Sequence, residues 1–362
     1  MSGKRYLILR LSALGDILFA LDALEALARA EPDARIDWLV EDRWRALLEG
    51  HPRIDRLLVY ERRALTHALP RPWRWPGLLA RIWRHLRALR AERYDAVLDL
   101  HGNLKSGLHV LLSRARRKLG FMAPRAREGS WLFYRERLLL PEPLPHRAEE
   151  GLLLAGRLVD RRLPPPEGDL LPRHPEAERA ARTMLERHPA GAGPAVLLAP
   201  GTSHFAAFKR WPTTAFRALA RTLADDGCRV LLSQGPGEGP LVDAILDDDL
   251  RGRVLVVDGA ALGLEVLVET LRLVTTCVAA DSGPLHLAQA VGTPVVALFG
   301  PKDPDRYGPR GRRSIVLRYP VPCAPCGLRS CPAPLCVQAI PPAEVARAVH
   351  EILAEAREPA AT

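Results

Sequence analysis

Apolar and polar residues fall into blocks along this chain, and their periods predict strands followed by helices. Tyr6-Leu7-Ile8-Leu9 is an apolar run of strand length, closed by the loop Leu11-Ser12-Ala13-Leu14-Gly15-Asp16. Across residues 16–30, Ile17, Leu21, Leu24 and Ala28 recur at helical spacing, so one face of a helix follows the loop. Residues 35–40 and 57–60 predict a second and third strand, with a short helix at 44–49 between them. Residues 78–93 predict a helix with Leu78, Ile82, Leu86 and Leu89 along one face, while Arg81, Arg84, Arg87 and Arg90 crowd the other side. Residues 96–100 form the next strand, ending in the polar loop His101-Gly102-Asn103-Leu104-Lys105-Ser106. A helix is expected over 146–157, inside a Pro-rich stretch at 141–175 that reads as a stiff connector. The second half repeats the plan, with strands at 195–199, 229–232, 253–257, 276–280 and 294–300 and a helix at 213–225. Such alternation predicts an α/β protein, each half a parallel sheet with crossover helices.

Composition and charge sharpen this picture. A length of 362 residues with 48% hydrophobic content supports two domains with sizeable cores. The net charge of +10 is concentrated: residues 43–137 hold 22 Lys/Arg against 8 Asp/Glu, leaving the remainder slightly acidic. That asymmetry points to an anionic partner, either acidic lipid, phosphorylated glycan or nucleic acid, with a solvated Arg-rich surface as the plain alternative. The stiff segment Pro70-Arg71-Pro72-Trp73-Arg74-Trp75-Pro76 leads into the basic 78–93 helix, so this helix either covers the sheet or lies on an anionic membrane. No run reaches the roughly 18 apolar residues of a membrane span. Arg10, Asp16 and Asp22 interrupt the apolar N-terminus, so a cytoplasmic location without a signal peptide is expected. In that compartment six Cys do not imply disulfides.

Candidate chemistry gathers in the loops that follow strands. Gly15 allows close backbone approach to a ligand, and Asp16 stands at the loop–helix junction, where it serves either as a helix cap or as a site carboxylate. His101, Asn103 and Lys105 share that sheet edge, with capping by Asn103 or Ser106 as the structural alternative. In the second half, Asp281-Ser282-Gly283-Pro284-Leu285-His286 opens a helix whose free N–H groups suit a phosphate. Asp281 would repel phosphate and suits sugar hydroxyls, and His286 lies one turn in. Thr202, Ser203 and Lys209 offer two hydroxyls and an ammonium, a set suited to a diphosphate without a metal. Neither GxGxxG after the first strand nor GxxxxGK[ST] occurs, which weighs against dehydrogenase and P-loop readings. Cys323, Cys326, Cys331 and Cys336 have spacing that allows zinc, with free thiols or a redox disulfide as alternatives.

Taken jointly and in order, Ser12-Ala13-Leu14-Gly15-Asp16, Gly201-Thr202-Ser203, Lys209-Arg210-Trp211-Pro212 and Asp281 to His286 resemble glycosyltransferase family 9, the ADP-heptose:lipopolysaccharide heptosyltransferases. The Cys323–Cys336 segment and Ile340-Pro341-Pro342-Ala343-Glu344-Val345 look like the tail of the heptosyltransferase II type. The resemblance implies a GT-B fold, two Rossmann-like domains facing across a cleft. An acceptor domain would span 1–175 and a nucleotide-sugar domain 176–340, with a helix at 341–362 crossing back to the first domain. It implies metal-independent, inverting transfer of heptose from ADP-heptose to the lipid A-core acceptor, with no cofactor, at the inner face of the cytoplasmic membrane. Asp16 matches the base; Thr202, Ser203 and Lys209 match the diphosphate holders; Asp281, Ser282, Gly283 and His286 match the donor loop, with Glu238 on the nucleotide side. Ser12, Gly15, Lys105, Arg62 and Arg63 fall on the acceptor side. Asp22 departs from the family's usual Pro, and the Arg/Trp insert lies in the acceptor domain. Transfer of another sugar, a GT-B sugar-nucleotide epimerase and a basic nucleic-acid-binding protein are the competing readings.

Overall fold

The structure, a computed structural model, describes residues 3–68, 75–189, 192–311, 313–328 and 330–356. The chain divides into two compact units, Met1–Pro172 and Arg173–Thr362.

The first unit carries six parallel strands: β1 Arg5–Leu9, β2 Arg35–Glu41, β3 Arg56–Tyr60, β4 Tyr94–Asp99, β5 Ala115–Phe121 and β6 Glu136–Leu138. Their order is β3-β2-β1-β4-β5-β6. Central β1 is apolar and buried along nearly its whole length, as a strand covered on both faces must be. The order reverses between β1 and β4, and ligands of open α/β sheets bind at the carboxyl end of that switch point. The loops carrying Asp16 and Lys105 follow those two strands. Helices Leu14–Ala30 and Arg147–Val159 pack on each other.

The second unit repeats the plan with β7 Ala195–Ala199, β8 Arg229–Gln234, β9 Val254–Asp258, β10 Thr276–Ala280, β11 Val295–Leu298 and β12 Ser314–Leu317. The order β12-β11-β10-β7-β8-β9 is the same winding, with its switch point between β7 and β10. Those strands deliver the Thr202 and Asp281 loops. The core joins β7, β8, β10 and β11 to the Thr213–Asp225 helix through Phe216, Leu219 and Leu223. Trp211 is 1% exposed, donates from Nε1 to the Ile340 carbonyl at 2.9 Å and meets Phe216 edge-on at 4.9 Å. Val345, Val349 and Ile352 of the closing helix, Pro342–Glu355, join this same core.

β5 follows no simple apolar pattern. It reads Ala-Arg-Arg-Lys-Leu-Gly-Phe; Arg116 is exposed, Arg117 pairs with Glu136 of β6, and Lys118 Nζ donates to the Leu111 carbonyl at 3.1 Å. β12 is a short edge strand. The predicted 44–49 helix is a 3₁₀ turn, Asp42–Trp44, running into one helical turn, Arg45–Leu48. The predicted 78–93 helix begins earlier, as Trp75–Arg90. Residues 70–74 of the Arg/Trp segment and residues 357–362 of the predicted closing helix lie outside the described residues.

Candidate functional site

In the first unit, Asp16 is not a cap. The helix begins at Leu14 with Ala13 as its capping residue and no side-chain cap bond. The Asp16 carboxylate, in the first helical turn, pairs instead with the Arg10 guanidinium through Oδ2 and accepts from Arg147 Nε at 2.9 Å through Oδ1. Its side chain keeps 31% of its surface open. Burial opposes its charge, but Arg10 and Arg147 outweigh that and hold the carboxyl well below the usual carboxylate range. Arg10 is itself buried and donates to the Leu100 carbonyl. Arg147 also donates to Glu150, which accepts from Arg125 Nε at 2.6 Å. Arg125 reaches back to the carbonyls of Leu100 and His101 at 2.9 and 3.1 Å. Asp16 therefore sits in a small pocket walled by three guanidiniums and a second carboxylate.

The neighbouring loop is fixed by buried Asp99. It accepts from the His101 and Gly102 amides at 2.9 and 3.0 Å and from the Tyr134 hydroxyl at 2.7 Å. Burial, then the charges of Arg10 and Lys105, push the His101 imidazole down to about 3, so it is neutral near pH 7. Its Nδ1 is buried with no hydrogen-bond partner among the described residues. Asn103 and Ser106 form a reciprocal capping box at 3.0 and 3.1 Å, so Asn103 is spent on the helix Leu104–Leu112. Lys105 is turned to buried Glu41 at the end of β2, which also accepts from Arg62 at 3.3 Å. The structure thus brings Lys105 and Arg62 together through a carboxylate that the sequence reading missed; its position as the last residue of an apolar strand was the available signal. Arg63 is exposed on the helix Arg62–Ala68; Ser12 is half-buried in the first loop and Gly15 half-buried in the first turn of the helix that follows.

In the second unit, Lys209 and Asp281 form an ion pair, and His286 Nε2 stands 3.4 Å from the other Asp281 oxygen. Burial opposes the Asp281 charge, but His286 and Lys209 prevail and hold the carboxyl near about 2. Ser282 caps the helix Gly283–Ala290 only by position: its hydroxyl makes no cap bond and is buried with no partner among the described residues. That hydroxyl and the free first-turn amides form a place for an anion. Thr202 is buried, donates to the Ala206 carbonyl at 3.0 Å and accepts from Arg210 Nε at 3.1 Å, which folds its loop; Ser203 is exposed beside it. Arg210 is the second cation of this loop. Glu238 accepts from the Gly235 amide at 2.7 Å and lies flat on Gly201, where a Cβ would come within 1.9 Å of its Oε1. Only glycine at 201 lets this carboxylate rest beside the Thr202 loop.

No disulfide forms among the described residues; Cys323 and Cys326 are exposed and Cys336 is buried. Burial, then the nearby Cys326, Cys323 and Cys331, raise the Cys336 thiol. Among the described residues no three His, Cys, Asp or Glu side chains are arranged to hold a metal ion.

The family described as glycosyltransferase family 9 (heptosyltransferase) matches residues 82–336. Lipopolysaccharide heptosyltransferase 1 of Pseudomonas aeruginosa is 30% identical over 90% of this chain and 87% of its own length. Lipopolysaccharide heptosyltransferase 2 of Escherichia coli is 26% identical over 87% of this chain and 88% of its own, so the whole chain resembles both types even though its tail pointed to the second. The solved structure of E. coli heptosyltransferase WaaC with ADP superposes with a TM-score of 0.77 at 26% identity, covering 96% of this chain and 99% of that one. E. coli ADP-heptose heptosyltransferase II, at 21% identity and a TM-score of 0.77, shares the fold.

Proposed function

The chain belongs to glycosyltransferase family 9 and is a heptosyltransferase of lipopolysaccharide core synthesis, and from that premise we propose how its residues carry the transfer. The donor is ADP-heptose and the acceptor a sugar hydroxyl on the lipid A-core, reached by a peripheral enzyme at the inner face of the cytoplasmic membrane. Among the described residues no helix is long and apolar enough to cross a membrane.

The reaction is a single displacement with inversion and needs no metal. The acceptor oxygen attacks the anomeric carbon while the bond to the diphosphate breaks, the bonding pair leaving with ADP. The acceptor hydroxyl proton passes to Asp16. One observation supports this role: Asp16, held by Arg10 and Arg147 in the first turn of the helix after β1, stands charged and partly open at the carboxyl end of that strand. Two guanidiniums keep it a carboxylate at any working pH. A carboxylate so stabilised is a weak base toward an intact hydroxyl. It suffices late in the displacement, when the attacking oxygen has become strongly acidic.

On the donor side, Lys209 and the first-turn amides behind Ser282 and Gly283 offset charge growing on the departing diphosphate. Thr202 and Ser203 shape that loop. Asp281 orients Lys209 and, with His286, takes hydroxyls of the donor sugar. Glu238 takes ribose hydroxyls. On the acceptor side Lys105, Arg62 and Arg63 receive an anionic core, with Ser12 and Gly15 lining the approach to Asp16. A thermal-shift comparison of ADP, UDP, GDP and RNA tests the assignment. Selective stabilisation by ADP is expected; stabilisation by UDP alone favours an epimerase or another sugar donor, and by RNA alone ends the transfer reading.

A further inference from the structure

The first unit presents apolar side chains where a water-facing helix ordinarily carries polar ones. On the Trp75–Arg90 helix, Trp75, Leu79, Ile82 and Trp83 follow steps of four, three and one, which places them on one stripe. All four are exposed; Leu79 and Trp83 are 65% and 61% open. The next helix, Leu104–Leu112, repeats the device with Leu104, Leu108 and Leu111, again exposed and again on one stripe. The two helices are neighbours, joined on another side by His85 and His109, whose Nε2 atoms lie 3.1 Å apart. Leu132, on the 3₁₀ turn Ser130–Phe133 packed against the second helix, is 70% exposed.

Charge selects the occupant. Neither helix contains an Asp or Glu, while the first carries four arginines and the second Lys105. Nearby carboxylates are few and engaged: Glu61 pairs with Arg81, and Glu128 accepts from the Leu104 amide at 3.2 Å. The Arg87 guanidinium lies 5.3 Å over the Trp83 ring, so charge and apolar surface adjoin. Exposed Trp and Leu flanked by arginine, without carboxylates, are complementary to the boundary of an anionic bilayer, where rings and alkyl chains enter and guanidiniums meet phosphate.

We propose that the exposed faces of the Trp75–Arg90 and Leu104–Leu112 helices form a docking surface for an anionic phospholipid bilayer. The inference extends the reading of the acceptor as membrane-borne, yet vesicle binding is measured without donor or acceptor. Transfer to a deacylated, water-soluble acceptor reads the chemistry separately, so either reading can fail alone.

The test is co-sedimentation of the full chain with vesicles of phosphatidylcholine containing roughly one-third phosphatidylglycerol, against phosphatidylcholine alone. Binding about tenfold stronger to the anionic vesicles, weakened by added salt and accompanied by a blue shift of tryptophan emission, is expected. Leu79→Glu with Trp83→Glu should lower it by about tenfold or more, and Arg84→Glu with Arg87→Glu should remove the preference for anionic lipid. Leu335→Glu, exposed on the second unit, should leave it unchanged. An unchanged melting temperature and an unchanged ADP shift establish that the variants fold. Wild-type protein remaining in the supernatant overturns the proposal, as does binding that survives Leu79→Glu/Trp83→Glu in a folded variant. A dimer in light scattering that this pair dissolves, without vesicle binding, overturns it in favour of a second copy of the chain.

Discussion

At the scale of single residues, two carboxylates are kept charged by neighbours of opposite sign. Asp16 owes its low proton affinity to Arg10 and Arg147. Replacing Arg147 with Met removes one of the two, so the acid limb of the kcat/KM profile should move upward toward the ordinary carboxylate range of about 4. An unmoved limb would detach Asp16 from the proton transfer. Asp281 shows the same logic as stability. Its folded value, about 2, lies below the unfolded one, so its contribution is fully present above about pH 4 and is lost as pH falls toward 2. The urea stability gap between wild type and Asp281→Asn should therefore narrow on acidification; a gap that widens contradicts the pairing with Lys209 and His286. Asp16 and Asp281 were both visible as candidates because each follows an apolar run. Their partners were not: Arg147 lies far along the chain from Asp16, and Lys209 far from Asp281, and only the parallel winding joins them.

At the scale of elements, the loops after strands are built as rigid supports. Gly201 gives the sharpest prediction. A methyl group there would overlap Glu238, so Gly201→Ala should displace that carboxylate and weaken ADP binding about tenfold by calorimetry. Adding Glu238→Ala should restore the melting temperature without restoring affinity, which separates the steric effect from loss of the proposed ribose contact. Trp211 illustrates a motif divided between roles. Lys209 and Arg210 face the loop chemistry while Trp211 is core, and Trp211→Ala should cost about 3–5 kcal/mol in chemical denaturation. Strands with uninterrupted apolar runs, such as β7 and β10, were legible to the residue, as was the Thr213–Asp225 helix with its regular apolar face. β5 was not, because its three consecutive cations hide a strand whose burial comes from neighbours. β6 was hidden for a related reason: three residues at a sheet edge carry too little periodicity to stand out. The exposed stripe of the Trp75–Arg90 helix was read only in part. The sequence pattern marks an apolar face but cannot say that Leu79 and Trp83 lie outside the packed side.

At the scale of the whole molecule, one winding is used twice, and in each unit the strands flanking the switch point deliver the residues that matter. The first switch point presents a carboxylate set among arginines. The second presents an ammonium, a free hydroxyl and the start of a helix. Under the proposed function these would serve as a base for the acceptor and a cradle for a departing diphosphate, a division that would account for similar sheets carrying unlike loops. The most direct measurement is mass spectrometry of a purified lipid A-core acceptor after incubation with ADP-heptose and either wild-type protein or Asp16→Asn, with ADP binding to both verified by thermal shift. One added heptosyl unit is expected with wild type and, with the Asn variant, a rate lower by about 10²–10⁴ at unchanged ADP stabilisation. Transfer by Asp16→Asn at the wild-type rate would contradict the proposed role of Asp16.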